Sequence, residues 1–289
     1  MFEIYNLTDI NDIKYILKKH GFHFSKSLGQ NFLTDENVPK EIARLCTSDK
    51  DCGIIEIGAG MGTLTKELSK VCKKVVSLEI DTALIPVLKE TLADCENVTV
   101  INADVLKTDI NKLIEEYFPN TNVYIAANLP YYITTPVIMH ILESDAPIKA
   151  MTVMVQREVA KRLCADEKSS DYGAISLAVA YRTEPKLLFD VPPQSFIPEP
   201  SVYSSVVKLN LREKPPVNPQ SPENFFKLIK AAFALRRKTF VNSVCATLPE
   251  LSKENVIKSL KTCNLPENIR GESISIENFA SLSDLLFKK

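Results

Sequence analysis

Asn128-Leu129-Pro130-Tyr131 is the stretch of this chain whose residue types and order could do chemistry. Asn128 carries a side-chain carbonyl, and a residue before proline is held extended, which presents the Leu129 backbone carbonyl. Two such acceptors can hold the two protons of an exocyclic amine on a nucleobase. That nitrogen is a poor nucleophile because its lone pair is delocalised into the ring. Holding its protons favours the pyramidal, nucleophilic form. Tyr131 offers a face on which a base can stack. Phe196, in the proline-braced run Phe196-Ile197-Pro198-Glu199-Pro200, offers a second wall for a flipped adenine. The reaction expected is direct displacement by the adenine amine, governed by positioning and electrostatics, with no enzyme nucleophile. Standing alone, the four residues read as a proline turn and Phe196 as a core residue, so the surroundings matter.

The electrophile is indicated by Glu56-Ile57-Gly58-Ala59-Gly60-Met61-Gly62-Thr63. Gly58 and Gly60 let the backbone turn tightly and approach a ligand, and a helix N-terminus follows. A dinucleotide fingerprint would need a glycine where Thr63 stands. The shorter G-x-G-x-G form resembles the first motif of class I methyltransferases, which bind S-adenosylmethionine. Glu79 ends the next strand, where a carboxylate can accept both ribose hydroxyl protons, and Asp104 follows the third, within reach of an adenine amine.

The elements that must position these residues alternate. Segments 54–57, 74–78, 98–101, 123–127 and 150–155 read as strands, with helices between them at 83–93, 109–117 and 136–143. That rhythm implies right-handed crossovers and a parallel, doubly wound, Rossmann-like sheet. Segments 186–191 and 205–211 read as an edge hairpin joined by the proline-rich stretch. Residues 213–223 carry four prolines and read as a linker, and 222–248, 252–262 and 276–287 read as helices. The organisation expected is α/β: a cofactor-binding catalytic domain over 1–212 and a small all-helical, RNA-binding domain over 213–289.

Lys26-Ser27-Leu28-Gly29-Gln30-Asn31-Phe32-Leu33, the glycine turn, Glu79, Asp104, Asn128–Tyr131 and Phe196–Pro200 occur in one order. That order resembles the ribosomal RNA adenine dimethyltransferases, in particular their bacterial small-subunit branch, from about residue 20 to the C-terminus. The resemblance implies dimethylation of two adjacent adenosines in a hairpin loop near the 3′ end of 16S rRNA, within the immature small subunit. It also implies that Asn31, Leu33, Gly58, Glu79, Asp104 and Asn128 contact the cofactor. One departure is visible: the family often has a lysine and an acidic residue where Ser201 and Tyr203 stand, which bears on RNA contact near Phe196.

Net charge is −1, so no global positive field marks a nucleic-acid partner and binding must come from local patches. Arg157, Lys161 and Arg162 form one; Arg236, Arg237 and Lys238, at a helix end with Lys227 and Lys230 nearby, form another; Lys18, Lys19 and Lys26 form a third. The Arg236–Lys238 run also resembles a basic run of the family. Seven scattered cysteines, never as C-x-x-C, suit a reducing cytoplasm and give no zinc site. No run of about 18 apolar residues exists, so no membrane span is expected; a monomer is. Three rivals remain: a large-subunit rRNA methyltransferase of the antibiotic-resistance type, a non-catalytic RNA-binding assembly factor, and a small-molecule or protein amide methyltransferase. Leu129, where the first usually carries isoleucine, the near-zero charge and the helical C-terminal region favour the small-subunit enzyme. Intact Glu79, Asp104 and Asn128 argue against lost chemistry.

Overall fold

The computed structural model describes residues 5–24, 29–167, 169–235 and 237–288. The chain divides into two compact units, Met1–Ala160 with Lys186–Leu211, and Lys161–Pro185 with Arg212–Lys289. The single boundary expected after residue 212 is thus replaced by a discontinuous one. The cause is apolar: Tyr172, Leu177 and Tyr181 are buried in one cluster with Phe225, Phe240 and Phe279. Arg212 reinforces this, its Nε donating to the carbonyls of Ala180 (3.1 Å) and Thr183 (3.0 Å).

In chain order the elements are α1 (Ile10–Lys19), β1 (Phe32–Leu33), α2 (Asn37–Cys46), β2 (Gly53–Ile57), α3 (Thr63–Ser69) and β3 (Lys74–Glu79). There follow α4 (Ile85–Thr91), β4 (Val98–Asn102), α5 (Ile110–Tyr117), β5 (Val123–Asn128), α6 (Thr134–Glu143) and β6 (Ile148–Gln156). Then come α7 (Arg157–Leu163), α8 (Ala174–Arg182), β7 (Thr183–Val191), β8 (Phe196–Ile197) and β9 (Ser204–Leu211). The last four are α9 (Pro222–Ala234), α10 (Phe240–Thr247), α11 (Lys253–Thr262) and α12 (Ile276–Leu286).

The first unit is built on a seven-stranded sheet of order β4-β3-β2-β5-β6-β9-β7. Strands β4, β3, β2, β5 and β6 are parallel, and β9 joins β6 antiparallel. All five residues of β2 are buried, as a central strand covered on both faces requires. Strand order reverses between β2 and β5, so the crevice beyond their carboxyl ends is the topological switch point where open α/β sheets bind ligands. Gly58 follows β2 there and Asn128 ends β5.

Local chemistry explains the turn into α3. Gly62 has φ +88°, and a Cβ on it would lie 2.9 Å from Leu92 Cδ2. Both the left-handed backbone and the lack of space demand glycine. Under the sheet, Ile42 of α2 and Leu68 of α3 are fully buried with Ile54, Ala126 and Met154. Each of the buried isoleucine, leucine and methionine side chains contributes about 1.5–3 kcal/mol. A second core joins Ile13, Ile16 and Leu17 of α1 to Val87 and Leu88 of α4, with Phe32, Ala59 and Met61. Asp9 caps α1, accepting from the backbone N–H groups of Asn11 and Asp12.

Two features differ from the sequence reading. The helix expected over 222–248 breaks into α9 and α10. Thr239 caps α10, and Ser243 Oγ accepts from Leu235 N (3.1 Å) while donating to Ala231 O (2.7 Å), so side chains take over backbone partners at the break. The linker expected over 213–223 ends at Pro222, the first residue of α9, and is anchored by Gln220 N donating to Asp284 Oδ1 at 2.8 Å. Among the described residues, no helix is long and apolar enough to cross a membrane.

Candidate active site

A cavity of about 300 Å³ opens at the switch point of the first unit. Asn31, Leu33, Gly58, Gly60, Glu79, Asp104, Asn128, Leu129, Pro130, Tyr131 and Phe196 all line it. Eleven residues from six separate segments therefore converge on one space. Lys26, Ser27 and Leu28 of the first motif lie outside the described residues, as does Arg236.

Glu79 is the electrostatic centre of one end. It is buried, with Oε2 accepting from Gly60 N and Oε1 from Asp81 N, both at 2.8 Å. Burial raises its carboxyl above the ordinary range, while the two backbone donors pull it back. Each oxygen still has a lone pair for a ligand hydroxyl. The Glu79–Gly60 bond fixes the glycine turn against the end of β3. Asp104 caps the short turn after β4 through Leu106 N (3.0 Å), and its other oxygen lies 3.7 Å from Lys107 Nζ.

Asn128 lines the same cavity. Its Nδ2 donates to the carbonyl of Asn31 (3.3 Å), which leaves Oδ1 as its acceptor for a ligand. Asn31 Nδ2 in turn donates to Gly29 O at 3.2 Å. The Leu129 side chain is buried and its N–H donates to Met154 O (3.1 Å), so its carbonyl is held from both sides. The Pro130 carbonyl accepts from Ile133 N and Thr134 Oγ1, both at 3.2 Å, which fastens the motif to α6. The Tyr131 hydroxyl is 2.8 Å from Ser204 Oγ, and burial raises its pKa, so the ring is a neutral phenol.

Phe196 is both of the things its sequence context allowed. It lines the cavity, and it is buried in the core with Leu33, Val38 and Ile42. What brings it there is the antiparallel pairing of β1 with β8, Leu33 opposite Phe196 and Phe32 opposite Ile197. Strands of two residues have no periodicity to read, so this pairing is not visible in sequence.

Glu56, within the segment 54–57 expected as a strand, is fully buried on β2, and its side chain has a role that the glycine motif does not give it. Its Oε2 accepts from Thr65 Oγ1 and Ser77 Oγ, both at 2.6 Å, and its Oε1 has no partner among the described residues. Burial pushes this carboxyl from an ordinary 4.5 up to about 7. Between those values the native state holds a proton that the unfolded state has lost, so stability falls as pH rises across the window. Glu56→Gln is expected to flatten that decline, a difference of about 3 kcal/mol at pH 8 by the conversion of pKa to free energy. Urea melts of both proteins at pH 5 and pH 8 measure it; parallel declines would contradict the assignment.

Sequence reasoning also missed Gln30, whose Nε2 donates to Asp81 Oδ2 at 2.6 Å on the cavity rim, and the apolar lining by Met61, Ile80 and Leu106. Leu106 carried a faint signal, two residues beyond Asp104; Ser204 carried none. The basic candidates Arg157, Lys161, Arg162, Arg237 and Lys238 are exposed and outside the cavity. Arg237 and Lys238 sit in the break between α9 and α10 rather than at a helix end. In the third group Lys19 is paired with Glu90 at 2.8 Å.

The profile of the Ribosomal RNA adenine dimethylase family matches residues 21–288. The chain belongs to that family. Membership makes it an enzyme that methylates rRNA adenine. Curated members are similar along their whole length. Ribosomal RNA small subunit methyltransferase A of Alkaliphilus oremlandii is 48% identical over 277 residues, 96% of each chain. The protein of the same name in Clostridioides difficile is 44% identical over 283 residues, 98% of each. Among solved structures, a dimethyladenosine transferase from Plasmodium falciparum has a TM-score of 0.69 at 24% identity, over 86% of this chain and 95% of that one. The 23S rRNA methyltransferase ErmE has a TM-score of 0.67 at 24% identity, over 88% and 99%. These two likenesses bear out the class I methyltransferase fold of the dimethylase family.

Proposed function

We propose that the chain uses S-adenosylmethionine to dimethylate N6 of two adjacent adenosines in a hairpin loop near the 3′ end of 16S rRNA, acting as a cytoplasmic monomer on the immature small subunit. The observation that carries this reading is the meeting of Asn128–Tyr131 with Glu79 and Asp104 around one cavity at the switch point. The cavity fits the cofactor: its buried carboxylate keeps lone pairs for ribose hydroxyls, and its glycine turn allows close approach of a ligand. When bound, S-adenosylmethionine supplies an electrophilic methyl group on a sulfonium.

The residues of this chain then have distinct tasks. Glu79 accepts the ribose hydroxyls, Asp104 accepts from the adenine ring of the cofactor, and Asn31, Leu33, Gly58 and Gly60 shape the remaining walls. Asn128 Oδ1 and the Leu129 carbonyl accept the protons of the target amine, and Tyr131 and Phe196 flank the base. Low-dielectric walls strengthen each of these contacts. Exposed Arg157, Lys161, Arg162, Arg237 and Lys238 supply phosphate contacts, with Arg236 of the same run.

The choice of small-subunit rRNA rests on relatives at 44–48% identity that carry a small-subunit name, against 24% for the 23S enzyme ErmE. Primer extension across both rRNAs from a strain lacking the gene tests it. Loss of the stop near the 3′ end of 16S rRNA is expected; loss of a stop in 23S rRNA would transfer the assignment to the large subunit.

A further inference from the structure

Beside the catalytic mouth the chain leaves a large aromatic ring in water. Tyr203 is 43% exposed and directly precedes Ser204, the residue whose hydroxyl meets that of Tyr131. The Arg157 guanidinium lies over its ring, 4.7 Å from the centroid. The backbone fixes the two together, because Arg157 N donates to Tyr203 O at 2.9 Å. Asp190 steadies the arrangement from below: it lies 3.8 Å from Arg157 Nη1 and accepts from Ser205 Oγ at 2.5 Å. The result is an aromatic face backed by a cation, held in place by two strands and the start of α7. Tyr132, 56% exposed, offers a further ring on the rim of the same cavity.

We propose that Tyr203, backed by Arg157, is the stacking platform for the unpaired base next to the target adenosine. This rests on the RNA-methylating reading of the cavity. A base drawn into the pocket leaves its neighbour without a stacking partner. Single-stranded RNA is held by replacing that stack with an aromatic face, and a guanidinium behind the ring strengthens it. Tyr203 is placed for the neighbour and not for the target, since it lies outside the cavity lining while Tyr131, joined to it through Ser204, lies inside. Tyr203 is thus a binding residue that sets how the strand enters; it takes no part in proton or methyl movement.

Steady-state methylation of immature small subunits across a series of salt concentrations tests this, with cofactor affinity measured in parallel. Tyr203→Ala and Tyr203→Leu should each raise KM for the particle about tenfold, the effect of one lost base–aromatic stack. The rise should be the same at every salt concentration, because stacking releases no counterions. Turnover at saturation and cofactor affinity should stay as in wild type, and Tyr203→Phe should stay within about twofold in KM. Arg157→Gln, by contrast, should lower the salt slope by about one. Leucine keeps the bulk without the π face, so it decides the matter if the alanine variant folds poorly. A KM unchanged in the leucine variant would overturn the platform, as would a defect that disappears with rising salt, which would reduce Tyr203 to a support for Arg157. If wild-type protein itself yields no methylated adenosine, the RNA-methylating reading falls instead.

Discussion

Asn128→Ala is expected to lower the rate of methyl transfer by about three orders of magnitude, with RNA binding retained. The expected size follows from the loss of one preorganised acceptor aimed at developing charge, about 10²–10³. Two features of the site place the effect at the upper end. Asn128 Oδ1 is the acceptor left for a ligand once Nδ2 is engaged with Asn31 O at 3.3 Å. That same bond holds the Gly29–Leu33 segment against the cavity, so its loss also loosens the wall. Single-turnover rates at saturating cofactor and RNA, with RNA affinity measured by filter binding, separate the two effects. Methylation retained within about tenfold of wild type would refute the role of Asn128.

Glu79→Ala is expected to weaken cofactor binding about 100-fold and to leave RNA binding unchanged. Two charge-assisted hydrogen bonds to a ribose at about 1.5 kcal/mol or more each give that magnitude. The native carboxylate also accepts from Gly60 N and Asp81 N, so alanine frees the glycine turn as well. Glu79→Gln keeps an acceptor and should fall between, near tenfold. Acidification should mimic the substitution. Burial raises this carboxyl and the ionised form is the double acceptor, so affinity is present above the raised value and lost as pH falls through it. Calorimetric titration of wild type, Gln and Ala variants over a pH series checks both statements. An alanine variant with wild-type affinity would remove Glu79 from the cofactor site.

Much of this site was legible because its parts sit where strands end. The runs around Ile54, Val75 and Ile125 are apolar enough to be read as buried strands, and each is followed by polar or glycine residues that a core would not tolerate. An alternating α/β rhythm then brings those ends to one edge. What was not legible depends on partners far away in sequence. Phe196 reaches the cavity through a two-residue pairing with Leu33. Residues 161–185 join the C-terminal helices because Tyr172 and Tyr181 find Phe225 and Phe279, a choice no local pattern records. The break between α9 and α10 is held by Thr239, which caps α10, and by Ser243, which bonds back to Ala231. The strand around Glu56 was legible but its partners were not: its carboxylate accepts from Thr65 of α3 and Ser77 of β3, which ties the helix after the glycine turn to the strand that carries Glu79.

The central claim is that the Asn128–Tyr131 motif serves an adenine amine of small-subunit rRNA. Incubating purified protein with immature small subunits and S-adenosylmethionine, then digesting the rRNA for nucleoside mass spectrometry, tests it most directly. The account predicts N6,N6-dimethyladenosine, two per 16S rRNA at completion, formed about a thousandfold more slowly by Asn128→Ala. Digests free of dimethyladenosine after incubation with wild-type protein would contradict it.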